Sequence, residues 1–185
     1  MNDGDAGKSD GSRRNDASRG DRSPDPLRGA IAGLVAGLVA SLAMDLAQKA
    51  LSQFQPSDGS DNDKPATEKA ADSVAQSITG APVADANKPL AGQAIHYGFG
   101  ALLGLGYGIA AEYRPTITSG AGAGFGLATA TLFDEIGVPA AGLGDAPWKA
   151  DLSTHVYTLA SHLVFGTTTE GVRRLVSDIV QQAAE

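Results

Sequence analysis

The stretch GQAIHYGFGALLGLGYGIAAE, residues 92–112, places a small residue or a histidine at every fourth position: Gly92, His96, Gly100, Gly104 and Gly108, followed by Glu112. At 3.6 residues per turn such a row stays on one face of a helix. In water each helical glycine costs about 1 kcal/mol relative to alanine, so something other than intrinsic propensity must offset the row. Lipid supplies the reason. Helices there gain nothing from burying apolar surface against one another, and small residues four apart let two backbones approach closely. The segment therefore reads as a membrane helix whose glycine face meets a neighbouring helix, with His96 turned toward that neighbour.

Working outward, stretches free of Asp, Glu, Lys and Arg cover residues 29–44, 89–111, 115–133 and 152–169. A transmembrane helix needs about 17 to 25 mostly apolar residues. Three of the stretches pass, and the first passes if Asp45 lies in or at the edge of the membrane. The fold expected is all-α: a polytopic membrane protein built as a four-transmembrane-helix bundle with glycine-rich interfaces and spans near 29–50, 92–112, 118–136 and 152–172. Gly29, Gly33, Gly37 and Ser41 repeat the spacing in the first span, and Gly122, Gly126 and Ala130 repeat it in the third. Packing is assigned to Gly33, Gly37, Gly100, Gly104, Gly108, Gly122 and Gly126. The loop 55–90 is polar and carries Pro56, Pro65, Pro82 and Pro89; within it ATEKAADSVAQSIT predicts a short amphipathic helix with Thr67 as its N-cap.

The chain has 185 residues, 24 of them glycine, no cysteine and a formal net charge of −7. Without cysteine there is no disulfide, thiol nucleophile or thiolate metal site. An acidic balance without clustered Lys and Arg argues against nucleic acid as a partner. The mean hydropathy of −0.09 averages unlike parts. Residues 1–26, rich in Asp, Arg, Ser and Gly, read as a disordered cytoplasmic tail, residues 27–176 as the membrane domain and 177–185 as a C-terminal tail. With four spans, Lys8, Arg13, Arg14, Arg19, Arg22, Arg28, Arg114, Arg173 and Arg174 share one side, against Lys49, Lys64, Lys69, Lys88 and Lys149 on the other. The positive-inside rule then puts both termini in the cytoplasm. Tyr113 and Trp148 fall at span ends, where aromatic rings prefer to sit. The lipid bilayer is the expected partner and a homo-oligomer stays open; no small-molecule substrate is identifiable.

Depth sorts the polar residues. Asp45, His96, Asp134, Glu135 and His155 all fall in the outer part of the spans, with His162 one step further in. Glu112, Glu170, Arg173 and Arg174 gather with Arg28 and Arg114 on the cytoplasmic side, where Glu170 reaches either arginine at helical spacing and forms ion pairs. Three readings compete for the outer group: hydrogen bonds that fix helix packing, a proton or ion path using imidazoles that titrate near neutrality, and a metal site on His96, His155, Asp134 and Glu135. The last lacks any tight ligand motif. Hydrolysis is weaker still, since Ser153 and Ser161 stand close to histidines in sequence but on other helix faces. The residues imply no cofactor and no enzymatic activity.

The segments HYGFGALLGLGYGIAAEYRP, FDEIGVPAAGL and HVYTLASHLVFGTTTEGVRR resemble, in that order, the YagU-like family of small prokaryotic membrane proteins, a domain of unknown function. The resemblance covers about residues 27–176 and leaves the acidic N-terminal tail outside its pattern. It implies an integral plasma-membrane protein with several spans, and it carries over no catalytic residue. The working function is a small membrane protein whose outer histidine and carboxylate group handles protons or a cation, with a structural or partner-binding subunit as the alternative.

Overall fold

The computed structural model describes residues 23–54 and 64–183; the expected tail over residues 1–22 and the start of the outer loop lie outside the described residues. Helix α1, Pro26–Leu51, starts where Asp25 accepts a hydrogen bond from the Arg28 amide at 3.0 Å and Pro26 supplies a fixed φ at the first turn. Helix α2 is Ala66–Thr79, ended by Gly80 at φ 77°, a left-handed cap that glycine adopts without strain. Pro65 occupies its N-cap position, so Thr67 sits inside the first turn and is not the cap. Helix α3, Lys88–Tyr113, stops before Arg114-Pro115 because a residue preceding proline is pushed out of the helical region, and Arg114 has φ −136° and ψ 80°.

The next segment departs most from expectation. Residues 118–136 were expected as one straight span. Instead, a 3-10 turn, Pro115–Thr118, leads into Gly120, Ala121 and Gly122, all at positive φ, and helix α4 begins only at Ala123. It runs to Thr129, widens into a π-helix over Ala130–Gly137 and closes as the short α5, Val138–Ala140. Helix α6, Leu152–Ala183, continues past the expected span end at 172 and takes in most of the expected C-terminal tail.

Among the described residues two helical stretches, not four, are long and apolar enough to cross a membrane: Pro26–Leu51 and Asp85–Tyr113. The third segment fails as a single α-helix because of its glycine turn and π stretch. The fourth is long, but His155, His162 and the hydroxyls of Thr167, Thr168 and Thr169 dilute its apolar character.

Two antiparallel close contacts organise the helices. Along α1 and α3, a Cβ added at Gly29 would come within 2.6 Å of the Gly108 carbonyl oxygen; one at Gly33 would strike the Gly104 carbonyl, and one at Gly37 the Gly100 carbonyl. Along α4 and α6, Gly122 lies against Gly166 and Gly126 against the His162 carbonyl. Gly122 thus packs as a turn residue, at φ 84°, before the helix begins. Helix α1 also packs along α6, and α2 lies on α3, where Glu68 covers Gly92. Aromatic rings close the remaining side: Tyr107 stacks on Phe125 at 4.3 Å between centroids, and Phe99 meets Phe133 edge-on at 4.8 Å.

The glycines differ sharply in the space they have. Nothing lies within 4 Å of a Cβ at Gly106, whereas the obstacle at Gly33 is backbone that cannot swing aside. Gly33→Val is expected to separate α1 from α3 and cost at least the ~1–3 kcal/mol typical of overpacking. Gly106→Ala should be neutral or stabilise by up to about 1 kcal/mol through helix propensity. Denaturant titration in detergent micelles, followed by circular dichroism, measures both.

Candidate functional site

At the end of the molecule where α1 finishes and α3 begins, the histidines are each matched to one carboxylate. His96 Nε2 lies 3.3 Å from Asp45 Oδ1, and the same carboxylate accepts hydrogen bonds from Gln93 at 2.5 Å and the Tyr97 hydroxyl at 3.0 Å. His155 Nδ1 lies 2.9 Å from Glu135 Oε1, with its Nε2 3.1 Å from the Pro147 carbonyl. His162 Nδ1 lies 3.6 Å from Asp134 Oδ2 and 3.0 Å from the Thr158 carbonyl of its own helix.

Local geometry explains the matching. His155 and His162 share a face of α6 but stand two turns apart, about 10 Å along the axis. Asp134 and Glu135 are adjacent in sequence, and adjacent helical side chains diverge. The π-helix carries them, so one carboxylate reaches each imidazole. The five outer groups expected to meet at one depth are therefore divided into separate pairs, and His162 belongs with them as the third histidine. The candidate ligand set of His96, His155, Asp134 and Glu135 is split in the same way: among the described residues no three or more His, Asp or Glu side chains form a group that could hold a metal ion.

Two of the three pairs face one cavity of about 650 Å³, lined by Asp45, His96, Asp134 and His162 together with Ser41, Gln93 and Thr129. Its remaining wall is mostly apolar, with Phe99, Phe133 and Phe165 prominent. His96 Nε2 is buried there and, despite its nearness to Asp45, makes no hydrogen bond. Helix α2 forms the roof through Pro65, Ala66, Thr67 and Ala70. Lys88 ties the roof down, 3.3 Å from Asp72 on α2 and 2.7 Å from Asp85, while Asp72 also accepts from the Val83 amide at 3.0 Å. The hydrogen bond from Lys88, and then its charge, hold the Asp85 carboxyl below its ordinary 3.8, and the same bond holds Lys88 above its ordinary 10.5.

The opposite end is saturated with ion pairs. Arg28 reaches Glu112 at 2.6 Å, and the Asp25 amide donates to the same carboxylate. Glu170 is only 1% exposed and accepts from Arg173 at 2.8 and 2.9 Å, from Arg174, and from the Tyr107 hydroxyl at 3.0 Å. Tyr107, Gln93 and Tyr97 escaped the sequence reading. Gln93 and Tyr97 sit one helical turn apart, flanking His96, a polar row that spacing alone could have exposed.

A family model described as a protein of unknown function, DUF1440, matches residues 59–171. The chain belongs to the DUF1440 family. The match holds α2 through most of α6, and with them His96, Asp134, Glu135, His155 and His162, while Asp45 on α1 lies outside it. No curated protein and no solved structure matches the chain.

Two outcomes follow from this geometry. A carboxylate held low stabilises above its ordinary value and loses its effect as pH falls through the lowered one; an amine held high stabilises below its ordinary value and loses its effect as pH rises through the raised one. The Lys88–Asp85 pair should therefore be complete from about pH 4 to about pH 10. A spin label at Ser73→Cys on the exposed face of α2 should gain mobility in Lys88→Ala, which takes away the partner of Asp72. At the other end, Glu170→Ala leaves two guanidinium groups without their buried partner and is expected to cost about 3–5 kcal/mol, against about 1 kcal/mol for Tyr107→Phe. Unfolding titrations in micelles distinguish the two.

Proposed function

We propose that this chain is an integral plasma-membrane protein, with all four long helical segments in the bilayer and both termini in the cytoplasm, whose outer cavity handles protons or a cation. The distribution of side-chain size supports the membrane part. Helix α1 buries Gly29, Ala32, Gly33, Ala36, Gly37 and Ala40 and turns Leu27, Ile31, Leu34, Leu38, Leu42 and Leu46 outward, each 39–69% exposed. In water that arrangement wastes the large side chains; in lipid it satisfies both faces. Exposed Leu132 and Ile136 on the π-helix and Val156, Leu159 and Leu163 on α6 extend the same surface. The hydroxyls on α6 are accommodated because Thr167 and Thr169 bond back to the Leu163 and Phe165 carbonyls at 2.7 and 2.8 Å. The resemblance to YagU-like membrane proteins and the Lys/Arg asymmetry support the multi-pass topology.

The observation that carries the functional part is that two histidine–carboxylate pairs, Asp45–His96 and Asp134–His162, face one cavity. Imidazole changes charge near neutral pH, and a carboxylate beside it either holds the proton or, once the proton leaves, offers a negative site for a cation. The two pairs provide two stations on one cavity. No enzymatic reaction enters this reading. A structural or partner-binding subunit is the competing one, favoured by the Glu135–His155 pair, which ties the π-helix to α6 without lining the cavity.

Purified protein in liposomes loaded with a pH-sensitive dye separates them. Proton flux driven by a potential is expected in the wild type, lost in His96→Ala and His162→Ala, and kept in His155→Ala. Wild-type liposomes no leakier than protein-free ones would overturn the proton reading. Recovery of the protein from a cell supernatant without detergent would overturn the membrane reading.

A further inference from the structure

The cavity is larger than a proton or bare ion needs, and its wall has a distinctive chemistry. Its volume of about 650 Å³ lies within the range of sites for small organic molecules. Of the titratable groups, Asp45, His96, Asp134 and His162 line it, and among the described residues no lysine or arginine does. Tyr97 borders it through its hydrogen bond to Asp45, and Glu135 is turned away toward His155. The roof helix contributes no charged side chain, since Glu68 lies over Gly92 instead. With both imidazoles neutral, two carboxylates face an apolar space without a fixed positive partner, a costly state. Three phenyl rings, Phe99, Phe133 and Phe165, line the same space, and a ring face attracts a cation, alkylammonium included. A small inorganic cation would find only isolated pairs, with no group of three ligands among the described residues.

We propose that the cavity binds an organic cation, a tertiary or quaternary ammonium on an apolar or aromatic body, in exchange for protons carried by His96 and His162. The carboxylates supply the charge, the rings and aliphatic wall supply the body's contact, and the polar atoms of Gln93 and Thr129 edge the space. Charge balances simply: a monovalent cation enters and one imidazolium releases its proton to water, leaving the total charge of the site unchanged. This inference rests on the reading of the cavity as the working site.

Calorimetric titration of the full-length protein in micelles with benzyltrimethylammonium tests it, with neopentylbenzene as the neutral molecule of the same shape. Saturable binding is expected for the cation alone, tightening with pH by up to roughly tenfold per unit while the imidazoles titrate. Asp45→Asn and Asp134→Asn should each weaken it roughly tenfold or more. If the Asn variants fail to fold, Phe133→Leu decides, with a weakening of up to about tenfold expected. Equal binding of the neutral molecule, unchanged affinity in folded Asn variants, or affinity independent of pH would each overturn the proposal. Absence of cation binding alongside a proton flux that needs His96 and His162 would sink the organic cation and leave the proton reading standing. Absence of both would sink both.

Discussion

Contact between the backbones of paired helices, at positions where no side chain intervenes, is the constraint on which the rest of the molecule depends. Gly29, Gly33 and Gly37 meet Gly108, Gly104 and Gly100 in antiparallel order, and the carbonyl oxygens of one helix occupy the places where Cβ atoms of the other would stand. Such approach permits Cα–H···O contacts and dense dispersion along the seam. It also dictates where bulk can go. With the inner face restricted to glycine, alanine and serine from Gly29 to Ser41, the large aliphatic residues of that stretch have only the outward face, and the apolar exterior follows from the tight seam.

The cavity lies where the seams end. Beyond Gly37 and Gly100 on one side, and beyond Gly126 and the His162 backbone on the other, the lining residues include Met44, Phe99 and Phe133. Bulky side chains replace glycines at this end, and they line the cavity together with Ser41, Gly100 and Thr129. The π-helix contributes to the same opening. Wider than an α-helix and recurrent at functional sites, it carries Phe133 and Asp134 into the cavity while Glu135 bonds to α6.

The two ends differ in kind of charge as well as in packing. Near the chain's first helical residue the cations are arginines, permanently charged, and Glu170 is enclosed by two of them and a tyrosine hydroxyl. That network fastens α6 to α3 through Glu170 and the Tyr107 hydroxyl. At the far end every carboxylate facing the cavity is matched by an imidazole, whose charge can come and go.

Helical periodicity, the rows of small residues at spacing four, the amphipathic segment 66–79 and the sorting of charged residues into two ends could all be read from the sequence, because each is a property of one helix at a time. The proline after Arg114 and the glycine at position 80 likewise marked helix ends through local backbone sterics. The break before Ala123 and the π-helix were not legible, since a run of glycines permits both a straight span and a left-handed turn, and the choice falls to contacts with α6. Which histidine meets which carboxylate was also beyond the sequence. Asp134 and Glu135 are neighbours in the chain, and only the antiparallel placement of α6, two turns of which separate His155 from His162, gives each its own partner. The sequence determined which groups could interact and at which end, because composition and period act locally. The tertiary structure decided that two pairs share a cavity and the third does not, because that depends on where backbone contact stops and side-chain bulk begins.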